Sequence, residues 1–281
     1  MTSPRFSFVP ILDHEIHVTL WGDPSDPPLV MWHGLARTGR DFDELAAALS
    51  DAFFVICPDT IGRGLSSWSE NPEAEYSVEY YSGIAADLLD HFEIEKAGWI
   101  GTSLGGLIGM RMASGPLAER LSFLIVNDIG PEVPQAAIDR ILAYADKQPE
   151  FATLREAETW FRGVYQPFGP ASDRFWTRMA RTSLRRRGDG VFTTHYDPRI
   201  TVQFRASPDE LTTWDRFQRI TLPVHVIRGE TSDLLPASMA ERMKTEGPRP
   251  EITVIPFCGH APSLSRAEDT RMVREMIGSM V

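Results

Sequence analysis

The 281-residue chain is predicted to be an α/β protein with a largely parallel, helix-flanked sheet and a helical insertion near its middle. Three observations carry the prediction. Short β-branched and aromatic runs alternate with longer amphipathic segments, as βαβ units require. The alternation breaks once, from about Pro131 to about Pro208. The length suffices for one large domain with its own core.

The chain opens on two strands in a hairpin-like arrangement, near Phe6–Val9 and His14–Trp21. Six further apolar runs have strand length: "PPLVMWHG", "FFVICPD", "AGWIGTS", "LSFLIVND", "LPVHVIRG" and "EITVIPFCGH". Between them, helices are predicted at Asp41–Leu49, Val78–Phe92, Leu104–Ala113, Ala237–Lys244 and Ala267–Met280. In the second of these, Ile84, Leu88, Leu89 and Phe92 recur at helical spacing and give one face to the sheet. Within the break, "QAAIDRILAYADK", "LREAETWFRGVYQPFG" and "ASDRFWTRMARTSLRRRGD" read as short helices with no convincing buried strand. The expected division is a core of residues 1–130 and 209–281 with a helical cap, or lid, of 131–208. Residues 132–206 carry a net charge of +3 and the rest of the chain −14, so the cap is a less acidic layer on an acidic body.

A net charge of −11 argues against nucleic acid or an anionic membrane surface as the main partner. No stretch approaches 18 consecutive apolar residues, and the first ten residues lack the apolar region of a secretory signal. Two cysteines, Cys57 and Cys258, make no disulfide framework. The expectation is a reduced, cytoplasmic protein acting on a small molecule, with a homodimer left open. No metal-ligand spacing and no phosphate-binding glycine pattern stands in the right place, so no cofactor is expected.

The chemistry points to "GWIGTSLGGLIGM". Gly101-Thr102-Ser103-Leu104-Gly105 fits a strand-to-helix turn that holds a serine in a strained conformation. A serine hydroxyl needs a base, a group that orients the base, and N–H donors for the oxyanion. The Leu104 N–H, at the start of a helix, is one expected donor, and the Leu35 N–H after His33-Gly34 is the other. His33 itself reads as a strand-end histidine, not the base. His260, on a glycine-flanked loop after the last core strand, is the candidate base. Two carboxylates compete to orient it: Asp233 in "VIRGETSDLLP" is preferred, and Asp128 in "LIVNDIGP" is the alternative. A third strand-end acid, Asp59, reads as a brace for the turn carrying Gly62, Arg63 and Gly64.

His33-Gly34, Gly101-x-Ser103-x-Gly105, Asp233 and His260, in that order and with an insertion after the sixth strand, resemble the α/β-hydrolase superfamily along nearly the whole chain. The resemblance implies an eight-stranded sheet in which only the second strand is antiparallel. It also implies Ser103 as nucleophile, His260 as base and then acid, and Asp233 as orienting carboxylate, with Asp128 at the position some members use instead. A serine at the elbow, where relatives that displace alkyl groups carry aspartate, favours acyl transfer to water. The chain is similar to small bacterial esterases, enol-lactone hydrolases and C–C hydrolases. The expected activity is cleavage of a carboxylic ester or related acyl bond through an acyl-enzyme. Alternatives are lactone, amide or C–C hydrolysis of a carboxylate-bearing metabolite, acyl transfer to another acceptor, and a ligand-binding receptor on the same fold. Arg37 is a candidate carboxylate ligand, as are Arg63 and the cap arginines, and Trp160 and Trp176 are candidate pocket walls.

Overall fold

The computed structural model describes residues 3–280; Met1 and Thr2, the start of the stretch read for a leader, lie outside them. Six strands come first: β1 (Arg5–Ile11), β2 (His14–Trp21), β3 (Pro28–Trp32), β4 (Phe54–Pro58), β5 (Ala97–Thr102) and β6 (Leu121–Asn127). Three short strands follow, β7 (Glu150–Phe151), β8 (Leu184–Arg186) and β9 (Phe192–Thr194), and then β10 (Val224–Gly229) and β11 (Glu251–Ile255). Eight of these form one sheet in the order β1-β2-β4-β3-β5-β6-β10-β11. Only β2 is reversed, pairing antiparallel with both β1 and β4, while the remaining neighbours are parallel.

The central strands are buried on both faces, which is why they read as continuous apolar runs and not as alternations. Successive residues still point to opposite sides. Val30, Trp32, Trp99, Leu124 and Val126 enter one core cluster; Met31, Ile100, Ile125 and Ile227 enter the other. The helix Leu104–Ala113 covers the first face and Ala267–Met280 the second, both with the bounds the sequence predicts. Val78–His91 and Ala237–Met243 each end one residue early, and Asp43–Leu49 is preceded by a tighter turn at Gly39–Phe42.

Between β6 and β10 the chain leaves the sheet. Helices Gln135–Ala145, Leu154–Val164 and Asp173–Thr182 are present, as expected. The reading without strands needs correction, because β7, β9 and β8 pair as a small antiparallel sheet. The arginine-rich run therefore turns back as a hairpin after Thr182 instead of continuing as helix. Two or three residues per strand are too few to display an alternating pattern, and "GDG" supplies the turn, with Arg187 N–H donating to the Val191 carbonyl at 2.9 Å.

One arginine, Arg178, fastens this segment to the helix Asp43–Leu49. Arg178 forms a 2.7 Å ion pair with Glu44, and Arg162 pairs with Glu158 and Asp173 within the segment. Among the described residues, no helix is long and apolar enough to cross a membrane.

Candidate active site

Ser103 occupies the single residue between β5 and the helix Leu104–Ala113, with φ 53° and ψ −114°. A non-glycine residue in this region is strained, and the strain persists because its surroundings over-determine it. Ser103 N–H donates to the Asn127 carbonyl (2.9 Å), and its own carbonyl accepts from Gly106 (2.8 Å) and Leu107 (3.1 Å). The flanking glycines are sterically required. A Cβ on Gly101 would lie 2.1 Å from the Gly105 carbonyl oxygen, and one on Gly105 would lie 2.0 Å from that of Trp32.

The loop after β3 passes beside Ser103: a Cβ on Gly34 would stand 3.5 Å from the Ser103 Cβ. His33 sets this loop. Its Nδ1–H donates to the Gly34 carbonyl (2.7 Å), while Nε2 accepts from the Thr60 N–H (2.9 Å). Both ring nitrogens are committed, which fixes the tautomer and leaves neither for proton transfer. Burial pushes the His33 pKa down to about 4, so the ring stays neutral. Leu104 is the first residue of its helix, so its N–H has no carbonyl one turn back. Leu35 and Leu104 line the same pocket as Ser103, as two oxyanion donors must.

His260 meets Ser103 from the loop after β11. Its Nε2 lies 2.9 Å from Ser103 Oγ and its Nδ1 lies 2.9 Å from Asp128 Oδ2. The preferred acid of the sequence reading is therefore corrected: Asp128, not Asp233, faces the imidazole. Asp128 follows β6 directly with φ 61° and is fully buried. Its Oδ1 accepts from Gly229 N–H (2.7 Å), and its Oδ2 accepts from the Ser232 hydroxyl (2.6 Å) as well as from His260. Asp233 instead forms a bidentate pair with Arg140, at 2.6 and 2.9 Å, on a half-exposed surface. Burial alone would raise the Asp233 pKa, but the hydrogen bonds and the charge of Arg140, with smaller contributions beside them, together hold the carboxyl below its ordinary value.

Two residues that the sequence reading passed over support the site. Ser232 braces Asp128 and accepts in turn from Leu235 N–H (3.0 Å). Asn127 Nδ2 donates to the Pro262 carbonyl (2.9 Å) and to Thr102 Oγ1 (3.0 Å), tying the His260 loop to β5 and β6. Ser232 stands one residue before the rejected Asp233, and Asn127 one residue before Asp128. A small polar residue beside a strand-end acid was the available signal. The inserted segment holds the same loop from above, with Gly259 N–H donating to the Pro167 carbonyl at 2.7 Å.

Over Ser103 the pocket walls are apolar, from Leu107, Ile129, Val133, Ile141 and Leu234, with Gln203, Ser207 and Glu210 adding polar groups. Arg37, Trp160 and Trp176 do not line it, which corrects their expected role. Arg37 is buried, bonded through Nε and Nη2 to Asp41 (2.7 and 2.6 Å) and through Nη2 to Ser183 (2.9 Å), and stacked on Tyr165. It staples the β3 loop to the insertion. Trp160 packs with Phe151, Phe161 and Tyr165, and Trp176 with Phe175 and Arg162, inside the insertion's own aromatic cluster. Asp59 takes the bracing role expected of it, accepting from Gly39 N–H (2.7 Å) and Leu65 N–H (3.0 Å) and contacting His17 Nδ1 at 2.8 Å.

A strained serine at a strand-to-helix turn, facing a histidine–carboxylate pair, is an arrangement suited to nucleophilic attack. Residues 29–272 match the alpha/beta hydrolase family, and the chain belongs to that family. The 3-hydroxybutyrate-oligomer hydrolase of Cupriavidus necator is 36% identical over 275 residues, covering 93% of each chain. An α/β hydrolase from Novosphingobium aromaticivorans superposes with a TM-score of 0.85 at 31% identity, covering 99% of both chains. A protein of Rickettsia typhi superposes with a TM-score of 0.89 at 28% identity, covering 100% of this chain and 98% of its own. The chain is thus a hydrolase with the eight-stranded α/β-hydrolase sheet.

Proposed function

We propose that this hydrolase cleaves carboxylic esters through a Ser103 acyl-enzyme, and that its substrates are short oligoesters of 3-hydroxybutyrate or a closely similar hydroxy acid. The observation that carries the reaction type is the unbroken chain of contacts from Ser103 Oγ through both nitrogens of His260 to Asp128 Oδ2. The substrate class rests on the likeness to the Cupriavidus necator enzyme over nearly the full length of both chains. The small apolar pocket at Ser103, with three polar side chains on its wall, suits a methyl-bearing chain with regularly spaced oxygens.

In the proposed reaction Ser103 Oγ attacks the ester carbonyl carbon as its proton passes to His260 Nε2. The carbonyl π pair moves to oxygen, and the Leu35 and Leu104 N–H groups hold that oxyanion. Asp128 keeps Nδ1 protonated and stabilises the imidazolium. Collapse of the adduct breaks the bond to the leaving alkoxide, which takes the proton from Nε2 and departs as the free hydroxy acid. Water then repeats the sequence on the acyl-enzyme, with His260 as base, and returns Ser103 and a carboxylic acid.

The test is labelling with a fluorophosphonate, read by intact mass, alongside acid release from 3-hydroxybutyrate dimer and trimer. The expected result is one adduct on the native chain, none on Ser103→Ala, and dimer or trimer turnover lost in that variant. A folded native protein that takes no adduct overturns the mechanism. Adduct formation without oligoester turnover overturns the substrate class alone.

A further inference from the structure

Arg63 follows β4 on the turn Gly62-Arg63-Gly64 and is completely buried. Its Nε donates to the Leu35 carbonyl at 2.8 Å; its Nη1 donates to the Ile61 carbonyl and to the Tyr81 hydroxyl, each also at 2.8 Å. The rings of Tyr76 and Tyr81 flank the guanidinium, with centroids 5.5 and 5.2 Å away. Nη2 has no partner. Among the described residues, no carboxylate lies within ion-pairing distance of this side chain. The acids of the adjoining turns are engaged elsewhere: Asp59 with His17, Gly39 and Leu65, and Asp197 with Arg199 and Tyr76.

A guanidinium keeps its charge at any working pH, and burying that charge without a counter-ion is costly. Such a cost persists where the charge acts on something. Here its nearest acceptor is the carbonyl of Leu35, the residue whose N–H is the second oxyanion donor in the reading above, on which this inference rests. Every other group that Arg63 touches is neutral, and Asp197 reaches it only through the Tyr76 ring, so no ion pair offsets its charge at contact.

We propose that Arg63 is the positioning residue of the oxyanion hole. Its bond to the Leu35 carbonyl fixes the Leu35–Ala36 peptide and so anchors, from its far side, the loop that carries the Leu35 N–H; the peptide of that N–H is held at the Gly34 carbonyl by His33. Its charge, which no ion pair offsets, lies behind that loop and favours the negative charge that develops on the substrate oxygen. Both effects act on the tetrahedral state and little on the neutral ester, so they belong to kcat and not to KM.

Three variants separate these contributions. Arg63→Gln keeps one amide donor for the Leu35 carbonyl and removes the charge; Arg63→Lys keeps the charge and loses the fork. Tyr81→Phe leaves Arg63 in place with one fewer partner, and serves if the others fail to fold. For each, kcat and KM on a chromogenic butyrate ester are measured beside the inhibition constant of butylboronic acid, which becomes a tetrahedral anion on serine. The expected result for Arg63→Gln is a fall in kcat of roughly 10- to 100-fold, a rise of similar size in the boronate constant, and KM within about threefold. Tyr81→Phe is expected to move kcat and the boronate constant together, by a smaller factor. Variants that lose thermal stability but keep kcat and boronate affinity make Arg63 a structural strut and overturn the proposal, as does an effect confined to KM. Failure of the esterase reading would show separately, as native turnover that survives Ser103→Ala.

Discussion

Replacing Asp128 with Asn removes one charge and almost no volume, and the structure dictates how the amide must sit. The Oδ1 position accepts from the Gly229 backbone N–H at 2.7 Å, so an oxygen has to stay there. The amide NH2 then takes the Oδ2 position, facing Ser232 Oγ and His260 Nδ1. The serine oxygen can accept one of these hydrogens; the other points at Nδ1, which must give up its own proton to accept it. That proton moves to Nε2, which becomes a donor toward Ser103 Oγ and can no longer take the serine's proton. The loss combines the wrong tautomer with an unstabilised imidazolium, and a fall of about 10⁴ in kcat is expected, equivalent to ~5 kcal/mol of barrier. Asp233→Asn breaks only a pair with side chains 46% and 41% exposed. Such a pair contributes ~0–1 kcal/mol to stability, and kcat is expected to change less than about threefold. Initial rates on a chromogenic ester, with urea unfolding of each variant as the folding control, decide the matter. A folded Asp128→Asn within tenfold of the native rate, or a larger loss in Asp233→Asn, refutes the assignment.

Two further expectations follow from buried groups around the same site. His33 titrates near 4 when folded and near 6.5 when unfolded. The folded pKa is the lower one, so its contribution is complete above pH 6.5 and is withdrawn as pH falls toward 4, by ~3 kcal/mol at most. Urea unfolding at pH 7 and pH 4.5 should show a larger stability loss for the native chain than for His33→Gln; equal losses contradict the buried neutral ring. Gly105→Ala would drive a methyl group into the Trp32 carbonyl, where 2.0 Å is available. The expected cost is at least ~3 kcal/mol, the upper end for an overpacked core, and the Tm should fall by ~5 °C or more. Soluble protein with an unchanged Tm means that the helix can slide away from β3.

Ser103 and His260, the proposed nucleophile and base, were legible in the sequence because each is specified by the few residues around it. Gly-x-Ser-x-Gly prescribes its own turn: without Cβ atoms at 101 and 105 the helix can lie against β5 and β3, and Ser103 is left at the only φ and ψ that join them. The helix bounds were legible for the same reason, since the apolar periodicity and the caps are local. The strands of the insertion were not, because Glu150 pairs with Thr193 across a long stretch of chain, and the hairpin strands Leu184–Arg186 and Phe192–Thr194 are too short to show an alternation.

The orienting acid is a harder case and shows where local reading fails. Asp128 and Asp233 both follow parallel strands at the same end of the sheet, and β6 and β10 are immediate neighbours. Residue type, strand order and loop composition therefore fit either one. What separates them is how many residues intervene between the strand and the carboxylate. Asp128 comes with none: it is the residue after Asn127, its N–H still bonds to the Ile227 carbonyl at 2.8 Å, and its left-handed backbone delivers the side chain to Gly229. After β10 the chain turns first, with Ser232 N–H donating to the Gly229 carbonyl at 3.0 Å, and the turn carries Asp233 away to the surface beside Arg140. The turn leaves Ser232 where a carboxylate from the neighbouring strand needs a hydroxyl. The two loops thus supply one acid and one brace. An aspartate placed at 232 would set two carboxylates against each other where Ser232 now donates to Asp128. The double variant Asp128→Ser, Ser232→Asp is accordingly the sharper check on this geometry. Carrying the acid from the β10 side, it should recover part of the activity that Asp128→Ser alone loses; no recovery in a folded protein would mean that the β10 loop cannot reach Nδ1 at all.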